Sequence, residues 1–418
     1  MTRLIYGLVD MQSFFASCEV AIRSEYAKRT ERDSMTDPLL VVAGDPARRS
    51  GIVLAATPAA KMLGVDNAMR LGEALRLAPS LIVVRPHMEF YLEVSTRIQM
   101  LVQQCFPLQE QFSVDESFFA FPYPTHLFPD PIAVAEDLKQ KIWDLYRVRS
   151  RIGLADNKWL AKMANKQAKK SPNGIVWLQK SDISKRIHPL PVEEMWGLKK
   201  RAKTLRDELG CNTIGDVARL PVDKLKQRFG VWGKIIHRWA NGEDYSPINP
   251  DAYDAPHKGY SHRTTLSRDF DTKEEIAVVM LELLDEVCYR VRRAKQKGRR
   301  IGLAFTYGGF TGGFYKTITL NFISNQPIEL YPFLLLLLER WWHVEPVRAV
   351  GVSLDMLQHS ESIQLSLVDD NIKRDTLAKT LDYIHEKYGE TSVFRAVSLT
   401  KAGQLLDRSQ KIGGHYKG

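Results

Sequence analysis

Apolar and polar positions change their period several times along the chain, and each change marks an element. Residues 4–9 are apolar β-formers that close on Asp10, and Ser13 precedes the helical pattern FFASCEVAIRSEYA. That order predicts strand, turn and helix. After a polar stretch at 28–37, the continuous apolar runs PLLVVAG and GIVLAA predict two buried strands. A short helical pattern over 59–64 ends on a glycine, LGEALRLAPS predicts a second short helix stopped by Pro79, and LIVVRP predicts another strand. Over 88–104, Phe90, Leu92, Val94, Ile98 and Leu101 recur at helical spacing and lead into FSVDESFFAF, a strand pair with carboxylates in its middle. A helix over 131–146, a strand at IGLA and a Lys-rich helix over 157–170 ended by SPNG complete a mixed α/β first half.

Residues 180–247 contain short helical patterns punctuated by Gly and Pro and no good strand, which predicts a small all-helical unit. The aperiodic, Pro-containing NPDAYDAPHK reads as a linker. Beyond it come a helix over 273–293, strands at RIGLAFTYG and FYKTITLNF, a helix over 330–342 and a strand at VRAVGVSLDML, together a helix-covered sheet. Past residue 358 the composition turns polar, with one helical pattern over 375–387 and a basic tail. No repeat of fixed period occurs. The chain has 418 residues, which at about 150 residues per domain predicts about three compact units. The expected fold class is α/β multidomain.

Composition narrows the function. A hydrophobic content of 44% suits buried cores rather than disorder, and 59 Lys plus Arg against 49 Asp plus Glu leave a net charge of +10, which suits a polyanionic partner. The four cysteines, Cys18, Cys105, Cys211 and Cys288, lie far apart without a CxxC, which argues against a zinc site or a disulfide framework and for a reducing cytoplasm. The first residues are too short an apolar run for a signal peptide, and the six apolar residues from Phe333 to Leu338 fall far below the ~20 needed to span a bilayer. No membrane association is expected.

The candidate chemistry lies in the carboxylates. Asp10 ends the first strand, and Asp115 and Glu116 stand among Phe112, Val114, Phe118, Phe119 and Phe121. An unpaired carboxylate in such surroundings costs several kcal/mol, and between His87 and Lys139 the one Lys or Arg is Arg97. A divalent cation is the natural partner. Hard oxygen ligands around Mg²⁺ are the usual arrangement for two-metal phosphoryl transfer. Adjacent strand residues point to opposite faces, so both acids serve one site only at a hairpin tip or a bulge. Acidic pairs also occur at Glu193-Glu194, Glu274-Glu275 and Asp369-Asp370, and most such pairs are solvated surface.

GLVDMQSFFASCE, SGIVLAATPAAKMLGV, FSVDESFF and IGLADNKWLAKMANKQAKKSPNG, in that order and spacing, resemble the palm and fingers of a Y-family translesion DNA polymerase of the UmuC/DinB type. The resemblance covers residues 1–357. EQFSVDESFFAFP and the closing IGGH look most like the UmuC-like UV-damage repair proteins of Gram-positive bacteria and their phages. It implies a right-hand polymerase with a palm at 1–13 and 83–178, small fingers at 14–82, a helix-hairpin-helix thumb at 179–247, a helix-covered little finger at 255–357 and a C-terminal tail at 358–418. It further implies a monomeric, cytoplasmic enzyme acting on primer-template DNA and deoxynucleoside triphosphates in error-prone repair synthesis of the SOS response.

Residue by residue, the resemblance makes Asp10, Asp115 and Glu116 ligands of two Mg²⁺ ions, with the main-chain carbonyl of Met11 as a further oxygen. Phe14 and Phe15 are implied nucleotide contacts, and Phe15 matches the aromatic steric gate that fills the space of a ribose 2′-hydroxyl; its plain alternative is a core aromatic. Lys61 and Lys169 match contacts to the triphosphate, and Ile52 lies where the fingers meet the nascent pair. The chain has Pro58 and Lys61 where DinB enzymes carry a Tyr and an Arg, and Thr57 is the candidate substitute for the missing hydroxyl. In the thumb, Lys199, Lys200, Arg201 and Lys203 resemble the phosphate-gripping turn, although Lys199 stands in place of a glycine.

Seven of the twelve residues from Tyr289 to Arg300 are basic and none is acidic: Arg290, Arg292, Arg293, Lys295, Lys297, Arg299 and Arg300. They read as a DNA contact or as a solvated face. Gln364, Leu365, Ser366, Leu367 and Val368 read either as a sliding-clamp-docking peptide or as a strand of alternating apolar residues. Two other functions fit parts of the chain: a catalytically weak DNA- and clamp-binding accessory protein, which the intact acids oppose, and another two-metal enzyme such as a nucleotidyl cyclase, in which the helical unit and the little finger have no place.

Overall fold

The structure is a computed structural model, and it describes residues 3–26, 29–31, 36–44, 51–126, 128, 130–251, 257–343, 345–359 and 371–418. The chain divides into two compact units at residues 255 and 256. Among the described residues no helix is long and apolar enough to cross a membrane, and the four cysteines are free.

The first unit is built on a five-stranded sheet in the order Leu108–Gln111, Glu116–Tyr123, Arg3–Met11, Ser150–Ala155, Ile175–Trp177. Its middle strand, Arg3–Met11, runs antiparallel to both neighbours. That strand reads as a near-continuous apolar run because it is covered: Ile5, Leu8 and Val9 are fully buried. The short strand Ile175–Trp177, parallel to Ser150–Ala155, went unpredicted. Three residues are too few to display a period.

The helix Lys158–Ala168, N-capped by Asn157, lies unusually close to this sheet. Gly153 is the reason. A Cβ there would stand 2.1 Å from the main-chain nitrogen of Asn165 and 2.2 Å from the carbonyl oxygen of Ala161. Asn165 then reaches the sheet itself, its amide donating to the carbonyls of Leu8 and Arg151 at 3.2 and 3.0 Å.

A second sheet orders Val53–Ala56, Leu40–Ala43 and Ile82–Val84, with Leu71 and Ala74 of the helix Leu71–Leu77 in its core. The expected boundary between fingers and palm at 82 and 83 therefore falls inside a strand of this sheet. Four short helices follow, Lys200–Leu209, Ile214–Arg219, Val222–Phe229 and Val231–Ala240. Thr213 and Asp216 close a capping box at the start of the second of these. Leu205, Ile214, Val217, Leu225 and Ile236 pack in one core with Trp159 and Leu160 of the helix over the main sheet.

The second unit is an antiparallel sheet in the order Gly313–Ser324, Gln296–Tyr307, Val347–Asp355, Gly259–Phe270. The helices Lys273–Arg293 and Pro327–Trp341 supply much of its core. Strand Gly259–Phe270 was not among the expected strands. Its polar Ser261, Arg263 and Thr265 are exposed and alternate with more buried residues, so its apolar signal is weak. Next to it, a Cβ on Gly351 would lie against the Arg263 side chain, and one on Gly302 against Tyr315, so these glycines keep part of that face low.

The segment expected as a tail is, over 371–417, part of this second unit. Its helix Asn371–Tyr388 carries Asp382, which accepts from Nε and Nη2 of Arg292, both at 2.7 Å. Arg395 clasps Asp285 at 2.6 and 2.9 Å, and Arg408 approaches the buried Glu282 at 3.4 Å. The segment docks largely through ion pairs, which is why its composition reads as polar tail. The clamp-peptide candidates Gln364, Leu365, Ser366, Leu367 and Val368 lie outside the described residues.

Candidate active site

Asp10 sits one residue from the end of the middle strand, directly opposite Glu116 in the antiparallel register. Asp115 is the last residue of the turn between Leu108–Gln111 and Glu116–Tyr123. The two acids thus occupy a hairpin tip, the one geometry besides a bulge that lets neighbours serve a single site. The tip is tied to the middle strand by the Met11 amide, which donates to the Asp115 carbonyl at 2.9 Å. Ser113 donates to Oδ1 of Asp115 at 2.7 Å.

These charges repel one another. Burial, and then the charges of Glu116 and Asp115, push the Asp10 carboxyl from 3.8 up to about 6, against the smaller opposing pull of Lys169 and Lys162. Lys162, on the helix that Gly153 admits, pairs with Oε1 of Glu116. Arg151, opposite Asp10 on the other neighbouring strand, is lowered chiefly by burial while Asp10 holds it up. Burial first, and then Arg151 and Lys169, lower Lys61, whose ammonium donates to Ser13 Oγ at 3.1 Å. Lys61, Arg151, Lys162 and Lys169 thus face three carboxylates, an arrangement suited to an anionic ligand and a cation held together.

A divalent cation fits the donor set of hard carboxylate oxygens, whose crowding, after burial, pushes Asp10 up to about 6 and which a cation would relieve. Among the described residues, however, no group of three or more His, Cys, Asp or Glu side chains is gathered tightly enough to hold an ion as the side chains stand. Glu116 turns to Lys162 and Asp115 to Ser113. A metal held by Glu116 would compete with Lys162 for that carboxylate.

Phe15 lies on the helix Phe14–Ala21, which starts directly after Ser13 in a left-handed conformation at φ 50°. Phe14 is buried and tilted against it with centroids 5.7 Å apart, so Phe14 is a core side chain behind Phe15 rather than the nucleotide contact expected of it. Ile52 is 45% exposed. Thr57 does not meet its expected role: its hydroxyl is buried, donates to the Pro38 carbonyl at 2.7 Å and accepts from the amides of Leu40 and Ala60, which leaves no proton for a phosphate.

Sequence reasoning missed Lys162 and Arg151. For Lys162 a signal existed, since it precedes Lys169 by seven residues, two helical turns, and shares its face. Arg151 carried none, because only strand pairing brings it beside Asp10.

Of the other basic candidates, Lys199, Lys200 and Lys203 are exposed at the start of Lys200–Leu209, and Arg201 lies over the Trp232 ring at 4.6 Å. In the second unit Arg293 and Lys295 are exposed. Arg292 departs from the expectation: its side chain is 12% exposed and its guanidinium is committed to Asp382 and the Asn325 carbonyl, so it serves packing rather than DNA. Arg290 pairs with Glu286, Arg299 donates to the Leu320 carbonyl at 2.8 Å, and Arg300 donates to Asp355 at 2.6 Å. Lys297 stands opposite Gln358.

Lys199 adopts φ 41° and ψ −114°, a conformation that favours glycine. Lys199→Gly is therefore expected to raise stability by about 1 kcal/mol, the released strain exceeding the entropy that glycine adds to the unfolded chain. Thermal melts of variant and parent check this; an unchanged or lower Tm contradicts it.

Comparison with known proteins decides the family. The impB/mucB/samB family matches residues 9–166, and the impB/mucB/samB family C-terminal domain matches residues 257–367. The chain belongs to this family. It is 39% identical over the whole length of both chains to DNA polymerase IV 2 of Halalkalibacterium halodurans, and 31% identical to the Putative UV-damage repair protein UvrX of Bacillus subtilis over 97% of this chain and 96% of that one. The similarity therefore continues past residue 357, through the docked C-terminal segment. Among solved structures, a Y-family DNA polymerase chimera of Dbh and Dpo4 matches 85% of this chain and all of that one with a TM-score of 0.67 at 22% identity, a likeness of fold. The resemblance in the four motifs is thus membership: this is a Y-family chain of the UmuC/DinB type.

Proposed function

We propose that Asp10, Asp115 and Glu116, with the Met11 carbonyl, hold two Mg²⁺ ions with which this chain copies damaged DNA. The chain is a template-directed DNA polymerase of translesion synthesis, as its family membership and its relatives named DNA polymerase IV support. Divalent-metal dependence belongs to the family. The observation that carries the assignment of residues is the Asp10 carboxyl, raised to about 6 opposite Glu116 at the hairpin tip and faced by four cationic side chains.

When bound, the two ions supply a lowered pKa for the primer 3′-hydroxyl and charge stabilisation at the attacking and leaving oxygens. The protein's own part is to hold the carboxylates together at the hairpin tip. Lys61, Lys169 and Arg151 attract and orient the triphosphate. Lys162, which pairs with Glu116, would add a fourth positive charge beside the phosphates where that carboxylate held metal. Phe15 closes the sugar pocket. Lys199, Lys200, Lys203, Arg293 and Lys295 contribute salt-sensitive contacts to the DNA backbone. Gln364 to Val368 remain a candidate clamp-docking peptide, testable by binding to a sliding clamp with Leu365 and Leu367 replaced by alanine.

Primer extension across an abasic site with Mg²⁺ tests the reading, and purified protein that adds no nucleotide contradicts it. Phe15→Ala is expected to raise the ratio of ribo- to deoxynucleotide insertion by about 10²-fold, because the space of a 2′-hydroxyl opens. An unchanged ratio removes the gate assignment.

A further inference from the structure

The Phe15 ring is not held by apolar packing alone. It stacks on Tyr91 with centroids 4.8 Å apart and planes 18° from parallel. Tyr91 projects from the helix Met88–Cys105, is fully buried, and donates its hydroxyl to Oε1 of Glu19 at 2.7 Å. Glu19 follows Phe15 by four residues on the same helix, so the two side chains share a face. One aromatic therefore spans both, its ring against Phe15 and its oxygen against the carboxylate.

Glu19 has no exposed surface, a costly place for a carboxylate unless it is bonded. Its Oε1 also meets His87 Nδ1 at 2.6 Å, and Arg23 Nη2 approaches Oε2 at 3.7 Å. Burial, and then the bond to Glu19, push the Tyr91 phenol far above its ordinary range, so it remains a donor at any working pH. A tyrosine that only filled the core would need no such partner, since phenylalanine fills the same volume without a polar atom to satisfy.

We propose that Glu19, acting through Tyr91, is a positioning residue for sugar selection: the buried carboxylate locks the Tyr91 ring as the surface against which Phe15 meets the nucleotide's sugar. The inference rests on Phe15 as the gate. A gate ring whose neighbour is free to tilt yields to a 2′-hydroxyl, whereas one stacked on a fixed neighbour does not.

The test is single-nucleotide insertion by the full-length protein on undamaged primer-template with Mg²⁺, reading kcat/KM for a ribo- and the matching deoxynucleotide. Tyr91→Phe and Glu19→Leu are expected to raise the ribo-to-deoxy ratio about fivefold, through faster ribonucleotide insertion, with deoxynucleotide kcat/KM changed less than about twofold. Glu19→Gln, which keeps an acceptor for the phenol, stays near the parent. In a Phe15→Ala background neither Tyr91→Phe nor Glu19→Leu moves the ratio further, because the element they position is gone. If Glu19→Leu does not fold, Tyr91→Phe, which changes one buried oxygen, carries the test. A parental ratio in Tyr91→Phe, or an equal shift with and without Phe15, overturns the proposal. A parental ratio in Phe15→Ala alone instead overturns the gate assignment beneath it.

Discussion

Asp10→Asn is expected to abolish primer extension while making the metal-free protein more stable. The losses and gains have one cause. In the folded chain the Asp10 carboxyl titrates at about 6 rather than 3.8, because burial and the neighbouring Glu116 and Asp115 disfavour its charge. The folded state therefore binds the extra proton across that interval. Stability is undiminished below the ordinary value and falls as pH rises to about 6, by about 3 kcal/mol. Asparagine carries no charge to lose, so the Tm advantage of the variant should be absent near the ordinary carboxyl pKa and fully developed above about 6. Extension should fall by about 10³-fold or more, as expected when a ligand of the reacting phosphate's metals is removed.

Melts at a series of pH values without divalent cation, repeated with Mg²⁺, check both halves. Mg²⁺ should raise the Tm of the parent more than that of the variant, since it binds the folded carboxylates only. Parental extension by Asp10→Asn, or a Tm difference that does not change with pH, would contradict the assignment.

The second large effect is expected at Gly153, which touches no substrate. A methyl group there meets the backbone of the helix Lys158–Ala168 at 2.1 and 2.2 Å, and backbone cannot rotate aside as a side chain can. The helix must retreat, breaking the bonds of Asn165 to Leu8 and Arg151 and withdrawing Lys162 from Glu116. Gly153→Ala should therefore destabilise the first unit by about 3 kcal/mol or more, a fall of roughly 6–12 °C in its melting transition. Nucleotide KM should rise as well, because the displaced helix carries Lys162 and ends at Lys169. Steady-state insertion kinetics below the lowered Tm separate this from simple unfolding, and a parental KM would show that the helix position is not coupled to the site.

Much of the chain was legible before folding. FSVDESFFAF marks a hairpin, although its first strand, Leu108–Gln111, lies before the pattern, and acids among phenylalanines mark a candidate site, because a charge among apolar neighbours requires a compensating partner. The helix Pro131–Tyr146 falls where its periodicity and flanking residues predict it, with Asp130 as N-cap. Illegible were the partners brought by pairing and packing. Thr57 looks available as a hydroxyl donor until the carbonyl of Pro38 takes its proton. Arg292 looks like part of a DNA-binding run until Asp382, ninety residues later, clasps it.

Local sequence alone determined most of the elements and the family and singled out the three candidate acids, because period, caps and motif spacing are properties of neighbouring residues. Tertiary structure decided which cations face those acids, how far the Asp10 carboxyl is raised, and that the C-terminal segment is docked rather than free. These depend on the register of Arg3–Met11 between two strands, on the close approach that Gly153 permits, and on ion pairs between residues far apart in the chain. Electrostatic energy depends on distances in space, which the order of residues does not specify.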